Sequence, residues 1–184
     1  MWDREGSVID LGNLGGPTNI ASSINNAGEV VGSAQSSMDG TVHTFLWTQH
    51  TGIQDYGVFP GAIATFPGCC HTINDSGQIV GTAIFPNFDM RAMIWQGKEP
   101  KDLNTFVHSS SPFVQLLSAF SINEAGEIAC QGVTRGGEIH ACLAIPNGGA
   151  APTSSAESDV RDASGPAAES VRSFVQRRFR VFRR

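Results

Sequence analysis

The sequence repeats a short motif at a fixed spacing of 49 residues. Ile-Asn-x-x-Gly occurs three times, in the segments INNAGEVVG, INDSGQIVG and INEAGEIACQG, at residues 24–32, 73–81 and 122–132. Its glycines are Gly28, Gly77 and Gly126, each 49 residues from the next. A repeat of this length indicates an array of similar structural units, each packed against its neighbours.

The motif has the chemistry of a tight turn between two β-strands. An Asn side chain can cap such a turn, and Gly supplies the positive φ that closes it. We therefore assign a structural turn to Asn25, Gly28, Asn74, Gly77, Asn123 and Gly126. A calcium loop is the rival interpretation, but the acidic position of the second copy, Asp75, is Asn in the first copy. We expect no metal site.

Short apolar segments bounded by Gly, Asn, Asp or Pro surround each turn, and they predict about four strands per unit. In the first unit they are TNIASSIN, GEVVGSA, HTFLW and IQDYG, at residues 18–25, 28–34, 43–47 and 53–57. The predicted fold is all-β, with about twelve strands in three four-stranded antiparallel blades. The blades would form a partial or small β-propeller-like array.

The repeat divides the predicted domain, residues 1–146, into units at about 7–57, 58–104 and 105–146. Three blades would make an unusually small ring. We therefore expect one of three arrangements: the first strand pairs back onto a late blade, chains associate, or further N-terminal repeats complete the array.

The C-terminal part of the chain differs in composition from the repeats. Residues 147–170 are small and polar and predict a flexible linker. Residues 171–184 form a basic amphipathic tail that would touch an anionic membrane or a polyanion, or else remain a disordered basic end. The arginines assigned to polyanion binding are Arg177, Arg178, Arg180, Arg183 and Arg184.

Charge is distributed unevenly along the chain. Residues 1–168 carry 6 Lys and Arg against 16 Asp and Glu, a net charge of −10, whereas the whole chain has −5. An acidic body repels nucleic acid, so we expect no specific nucleic-acid recognition. The N-terminus lacks the apolar region of a signal peptide, and no run of 18 apolar residues predicts a membrane span.

Two of the four cysteines could face each other. Cys130 and Cys142 are equidistant from Gly136, the centre of a predicted hairpin. We interpret them first as buried free thiols, with a cross-strand disulfide as the alternative. Cys69 and Cys70 are adjacent, which strains a disulfide between them.

Five residues at equivalent repeat positions are candidate ligand contacts. They are His43, Arg91 and His140, and the aromatic pair Trp47 and Trp95. We interpret the first three as polar contacts at a strand edge, with a general base as the alternative. The tryptophans would be inter-sheet core or, if exposed, a platform for sugar rings.

Acidic residues also recur, as Asp10, Asp55 and Asp102, each before Leu or Tyr at a strand end. Turn capping is the simpler account. A carboxylate pair for glycoside hydrolysis is the alternative, and it would need two of them to face each other across a cleft.

These motifs, in this order, resemble the HAF repeat family, often described as probable extracellular repeat proteins of bacteria. The resemblance rests on DLGNLGGP at residues 10–17, HTFLW at 43–47 and the three Ile-Asn-x-x-Gly segments, and it covers about residues 7–146. It implies a β-propeller-like fold, an extracellular or cell-surface location and no established catalysis. The third unit looks like the last repeat of that family.

The sequence therefore predicts a non-catalytic repeat module that binds or scaffolds a protein or glycan, without a cofactor. Two alternatives remain open. One is a carbohydrate-active enzyme that uses Asp55 and Asp102, and the other is a module tethered to a membrane or polyanion by its arginine-rich tail.

Overall fold

The computed structural model describes residue 6 and residues 8–146. This part of the chain contains eleven β-strands and one 3-10 turn, Leu103–Phe106, and no α-helix. The linker and tail predictions, including the five tail arginines, lie outside the described residues. The strands are β1 (Gly15–Ile24), β2 (Val30–Ser36), β3 (Val42–Thr48), β4 (Gly52–Asp55), β5 (Ala64–Pro67), β6 (Gln78–Ile84), β7 (Met90–Gln96), β8 (Pro100–Asp102), β9 (Phe113–Ile122), β10 (Ile128–Thr134) and β11 (Ile139–Ala144).

The strands follow the sequence repeat. Strands β1 to β4 pair antiparallel in chain order, β5 to β8 do the same, and β9 to β11 form a separate three-stranded sheet. One parallel bridge, Val42 to Ala64, links β3 to β5 and joins the first two groups into an eight-stranded sheet. We call the three groups the first, second and third units. The all-β prediction is confirmed, but the third unit has three strands in the described residues, so the prediction of four in each unit is wrong there.

The units stack face to face. Residues Ile79 and Val80 are consecutive in β6, so their side chains point to opposite faces of the second unit, and both are fully buried. Ile79 packs in a cluster with Val31 and Leu46 of the first unit. Val80 packs in a cluster with Leu116 and Ile128 of the third unit. The second unit thus contributes to two apolar cores, one shared with the first unit through Ile79 and one shared with the third unit through Val80.

The segment before β1, residues 8–14, contains one isolated β-bridge, at Val8, and no strand. Instead, Leu11 and Leu14 pack against the outer face of the first unit, on a cluster that contains Phe45 and Trp47. In the described residues β11 pairs only with β10, so the expected pairing of the first strand onto a late blade is not present.

The repeated turns have positive-φ glycines, at 78° for Gly28, 72° for Gly77 and 79° for Gly126. Each glycine N–H donates to the carbonyl of the Asn three residues earlier. Each Asn side-chain oxygen accepts the backbone N–H four residues on, at 2.9–3.0 Å. The Asn side chain therefore closes its own turn.

The same asparagines also link one unit to the next. The Asn25 side-chain amide donates to the carbonyl of Asn74 at 3.1 Å, and the Asn74 amide donates to the carbonyl of Asn123 at 3.2 Å. We call this row the asparagine ladder. Beside it, Asn26 donates to Asp75 from its backbone and its side chain, which lowers the pKa of Asp75. The 49-residue spacing thus corresponds to one step between stacked units.

Replacement of Asn74 by Ala should lower the free energy of unfolding by about 2 kcal/mol, because a buried amide loses its partners in its own turn and in the next unit. The matched control is Asn123→Ala, which removes the same bonds within its turn but no described bond to another unit. Urea unfolding followed by far-ultraviolet circular dichroism measures both. Equal losses for the two variants would contradict an energetic role for the ladder.

Cys130 and Cys142 form a disulfide across β10 and β11. They are directly opposite in the register, and their Cα atoms are 4.9 Å apart. This separation lies within the range that a disulfide requires. The interpretation of these two residues as free thiols therefore does not hold.

Thiol titration of the protein unfolded without reductant should find two free thiols, Cys69 and Cys70. The same titration after reduction should find all four cysteines of the chain. Because Cys69 and Cys70 are both exposed, they should also react in the folded protein. Four reactive thiols before reduction, in protein purified under air, would show that the Cys130–Cys142 bond does not form.

Candidate functional site

One edge of the stack is formed by the turns that join the second and third strands of each unit. These are residues 37–41, 85–89 and 135–138. We call this edge, together with Ile63, the hairpin edge. Ile63 belongs to it because its carbonyl accepts the N–H of Val42 and its own N–H donates to Ile84, next to the first two turns. His43, Arg91 and His140, which the sequence analysis singled out, each lie close to a carboxylate of one of these turns.

In the first unit a histidine bridges two carboxylates. The Nδ1 atom of His43 lies 2.8 and 2.9 Å from the two carboxylate oxygens of Asp55, and its Nε2 atom lies 3.1 Å from Asp39. The imidazole is largely buried. Hydrogen bonds from the backbone and hydroxyl of Thr41 lower the pKa of Asp39 to about 2, and His43 adds to the effect. Asp39 is therefore ionised at neutral pH.

In the second unit Arg91 takes the position that His43 has in the first unit, and it also contacts two carboxylates. Arg91 lies 3.2 Å from Asp89 in the preceding turn and 3.3 Å from Asp102 at the end of β8. Its guanidinium also lies over the ring of Phe85, 4.7 Å from the centroid, which is a cation–π contact. Arg91 and His43 therefore make equivalent contacts, with a carboxylate from the turn on one side and one from the fourth strand on the other.

The third unit has only half of this arrangement. His140 Nε2 lies 3.4 Å from Glu138 in the β10–β11 turn, and the imidazole is more than half exposed. The described residues contain no fourth strand in this unit, so no carboxylate takes the position of Asp55 or Asp102.

The recurrent aspartates are engaged in local contacts rather than paired with one another. Asp55 accepts from His43 and from the N–H of Gly57, and Asp102 accepts from Arg91 and from the N–H of Asn104. Asp10 accepts the N–H of Gly12. Asp55 and Asp102 end the fourth strands of different units. Glycoside hydrolysis requires one carboxylic acid and one carboxylate facing the same bond, and these contacts do not build that pair.

A shallow groove of about 300 Å³ lies on the first unit. Its lining combines Asp10 and the amides Asn13 and Asn19 with the apolar residues Ile20 and Phe45. Asp10 is the one titratable side chain in this lining, so the groove lacks the second acid or base that general acid–base hydrolysis needs. The groove therefore presents a single carboxylate among amide and apolar side chains.

The two tryptophans that were candidate sugar platforms are buried. Trp47 is 6% exposed, in the cluster beneath Leu11 and Leu14, and Trp95 is fully buried between the first and second units. A sugar ring stacks on an exposed aromatic face, which neither residue presents. This burial corrects the ligand-contact interpretation of Trp47 and Trp95 and assigns them to the core.

Sequence reasoning missed three exposed apolar side chains on the hairpin edge. Met38 is 93% exposed, Ile63 45% and Phe88 47%. Phe88 has a φ of 63°, which is rare for a residue with a side chain and costs backbone strain. The sequence signal for this surface was a large aromatic residue, Phe88, in a segment with turn composition. The positive φ and the exposure of Phe88 are known only from the tertiary structure.

Two adjacent free thiols lie elsewhere, in the loop between β5 and β6. Cys69 and Cys70 are both exposed. A side-chain hydrogen bond to Cys69, followed by the charge of that neighbour, raises the pKa of Cys70, which disfavours its thiolate. Their neighbour His71 has a φ of 50° and its carbonyl accepts the N–H of Ile122 in the third unit. This loop is thus positioned by inter-unit packing.

No group of three or more His, Cys, Asp and Glu side chains in residues 8–146 could hold a metal ion. Within the same part of the chain, no helix is long and apolar enough to cross a membrane. No protein-family model, curated protein or solved structure matches this chain.

Proposed function

We propose that this protein is a non-catalytic repeat module that binds a protein partner through the hairpin edge. The observation that carries the proposal is the exposure of Met38, Ile63 and Phe88 beside the charged side chains of that edge. Apolar anchors surrounded by charged and polar groups are typical of protein-binding surfaces. The strain at Phe88 adds support, because strained residues cluster where function requires them.

The charged side chains would fix the orientation of the partner. Asp39, His43 and Asp55 lie around the first turn, and Arg91 with Asp89 lies beside Phe88. Because these groups already hold one another, their geometry is set before the partner arrives, which lowers the entropic cost of association. This part of the edge would contribute specificity more than affinity.

A glycan is the alternative ligand of the module, and the burial of Trp47 and Trp95 removes the aromatic platform on which that alternative depended. The enzyme alternative loses support because Asp55 and Asp102 are each held by a cationic or imidazole partner in their own unit. Tethering by the tail arginines remains a prediction about residues outside those described.

We also propose that the chain belongs to the HAF repeat family, with β-propeller-like units and an extracellular or cell-surface location. The support is the stack of antiparallel units whose turns are linked at a 49-residue step, together with the motifs DLGNLGGP and HTFLW. In that view the units are blades, and the hairpin edge is one rim of the array.

Site-specific photocrosslinking tests the proposed binding surface. The photoreactive amino acid p-benzoylphenylalanine replaces Phe88 in one variant and Phe106 in a control, because Phe106 is similarly exposed, at 42%, but lies outside the hairpin edge. Irradiation in an extract of the source cells should give a discrete protein adduct from position 88 and none from position 106. The adduct identifies the partner for direct measurement.

Once the partner is identified, its affinity for the protein can be measured directly. The double variant Met38→Ser/Phe88→Ser should bind it about thirtyfold more weakly or worse, as expected when anchor residues that contribute about 2 kcal/mol to binding are lost. Thr105→Ser, an exposed substitution outside the edge, should leave binding unchanged. The same adducts at both positions, or turnover of a panel of glycoside substrates, would contradict the proposal.

A further inference from the structure

The first unit packs on the second through one face of its sheet, and the second unit packs on the third through the equivalent face. The third unit has the same face, and there it is exposed. In the first and second units this face carries Leu46 and Ile94, which are 8% and 7% exposed. The equivalent residue of the third unit, which follows from the shared strand register, is Leu143, and it is 59% exposed. An apolar position that is buried in two units and exposed in the third indicates a surface suited to a packing partner.

We propose that a second copy of this chain packs its first unit on that face, so that the chains associate head to tail. The contact would reproduce, between chains, the interface that already joins the first unit to the second. This association is separate from the proposed partner at the hairpin edge, because it does not use the apolar anchors Met38, Ile63 and Phe88.

The second copy would supply the fourth strand that the third unit lacks in the described residues. In the first unit β3 pairs with β4 so that Leu46 is opposite Gln54 and Phe45 is opposite Asp55. The segment Val8-Ile9-Asp10 precedes Leu11 and Gly12 as Ile53-Gln54-Asp55 precedes Tyr56 and Gly57. Placed along β11 in the same register, it would set Ile9 opposite Leu143 and Asp10 opposite Cys142.

The apolar side chains of that segment are exposed, and Val8 already takes part in one isolated β-bridge. Val8 is 77% exposed and Ile9 37%. Strand addition at an open sheet edge gains backbone hydrogen bonds along its length, and alternate side chains then select the register. Here Ile9 would cover part of the exposed Leu143 side chain.

The ionisable side chains at the proposed contact match those of the first unit. In the first unit His43 directs Nε2 to the turn carboxylate of Asp39 and Nδ1 to the strand carboxylate of Asp55. In the third unit His140 directs Nε2 to Glu138, and its Nδ1 has no partner in the described part of the chain. Asp10 of a second copy would occupy the position of Asp55 and complete this arrangement.

The asparagine ladder also has complementary ends. Asn123 donates its side-chain amide to Glu127, but within the described residues it donates to no further unit. At the other end, the carbonyl of Asn25 accepts the N–H of Gly28 and, in the same residues, no Asn side chain. A second copy stacked on the third unit would bring these two groups together, as Asn25 meets Asn74 and Asn74 meets Asn123.

Apolar side chains that would pack between the two copies are present on the outer face of the first unit. Tyr56 and Phe59 fill the space between the first and second units, where burial raises the pKa of Tyr56. Leu11 and Leu14 occupy the matching positions in DLGNLGGP and lie on the outer face of the first unit. They would fill the space between two copies in the same way.

Light scattering of the full 184-residue chain over a concentration series tests the association. A head-to-tail contact is heterologous and closes into a ring or extends as a filament, so the mass should rise from 19.5 kDa to at least twice that value. Leu143→Asp should restore a monomer, whereas Met38→Asp, which adds the same charge at an exposed apolar residue outside the contact, should not.

A charge exchange distinguishes this contact from unspecific association. The Asp10→His chain and the His140→Asp chain should each associate about tenfold more weakly than the natural chain, because like groups then face each other. Their equimolar mixture should recover the natural affinity, since every contact in an alternating assembly pairs one imidazole with one carboxylate.

Circular dichroism of each variant checks that it keeps its β-structure. A mass of 19.5 kDa at every concentration would overturn the proposal, and so would association that persists in folded Leu143→Asp. Failure of the mixture to associate better than either variant alone would overturn the assigned pairing of Asp10 with His140. None of these results bears on the photocrosslinking at Phe88, so the two proposals can fail separately.

Discussion

Replacement of Trp95 by Ala is expected to lower the free energy of unfolding by about 3–5 kcal/mol, the range for loss of a large aromatic side chain from a packed core. Trp95 is fully buried on β7 and packs in the cluster that joins the first and second units, with Val31 and Ile79. Its removal would open a cavity between two sheets whose positions are set by many other contacts, so the space would not collapse completely.

The matched control is Trp95→Phe. The indole N–H of Trp95 is buried and has no hydrogen-bond partner among the described residues, so Phe removes a desolvated donor while it keeps an aromatic ring in the cluster. We expect a loss of less than about half that of the Ala variant. Urea unfolding followed by far-ultraviolet circular dichroism measures both without relying on tryptophan fluorescence. An Ala variant within about 1 kcal/mol of the natural chain would show that the two units are not held together by this core.

Replacement of Gly81 by Ala is expected to destabilise the protein by about 3 kcal/mol, because the added methyl group would overlap its neighbour. Gly81 lies on β6 opposite Pro67 of β5, and a Cβ atom there would collide with the backbone carbonyl of Phe66. Backbone atoms cannot rotate away as a side chain can, so β5 would have to move, and Phe66 and Pro67 with it.

Gly136→Ala is the control for this prediction. Its Cβ atom would have only an ordinary contact, 3.7 Å from the Thr134 hydroxyl, and the substitution should change stability by less than about 0.5 kcal/mol. Thermal unfolding of the two variants should therefore give clearly separated midpoints. Coincident midpoints would mean that β5 has room to move away from β6.

The candidate site was only partly visible in the sequence. His43, Arg91 and His140 were recognised as equivalent, and so were Asp10, Asp55 and Asp102. The sequence did not show that members of the two sets meet. That contact depends on the register of β3 with β4 and of β7 with β8, which places Asp55 beside His43 and Asp102 beside Arg91.

The exposed anchors could not be predicted for a different reason. Met38, Ile63 and Phe88 are apolar residues near strand ends, and by composition they could equally well have been core. Conversely, Trp47 and Trp95 could have been exposed platforms. Burial is a property of the stacked units, and it depends on which faces the neighbouring sheets cover.

What the sequence by itself determined is local and periodic. The Asn-x-x-Gly turns, the short strands around them and the 49-residue step follow from backbone chemistry that acts within a few residues, and periodicity extends that chemistry to the whole array. Tertiary structure alone decided the rest: the disulfide between Cys130 and Cys142, the ion pairs of the hairpin edge, the three strands that the third unit has in the described residues, and the exposure of Leu143. These features depend on contacts between residues distant in the chain or in different units, and such contacts are set by register and packing, which no local segment encodes.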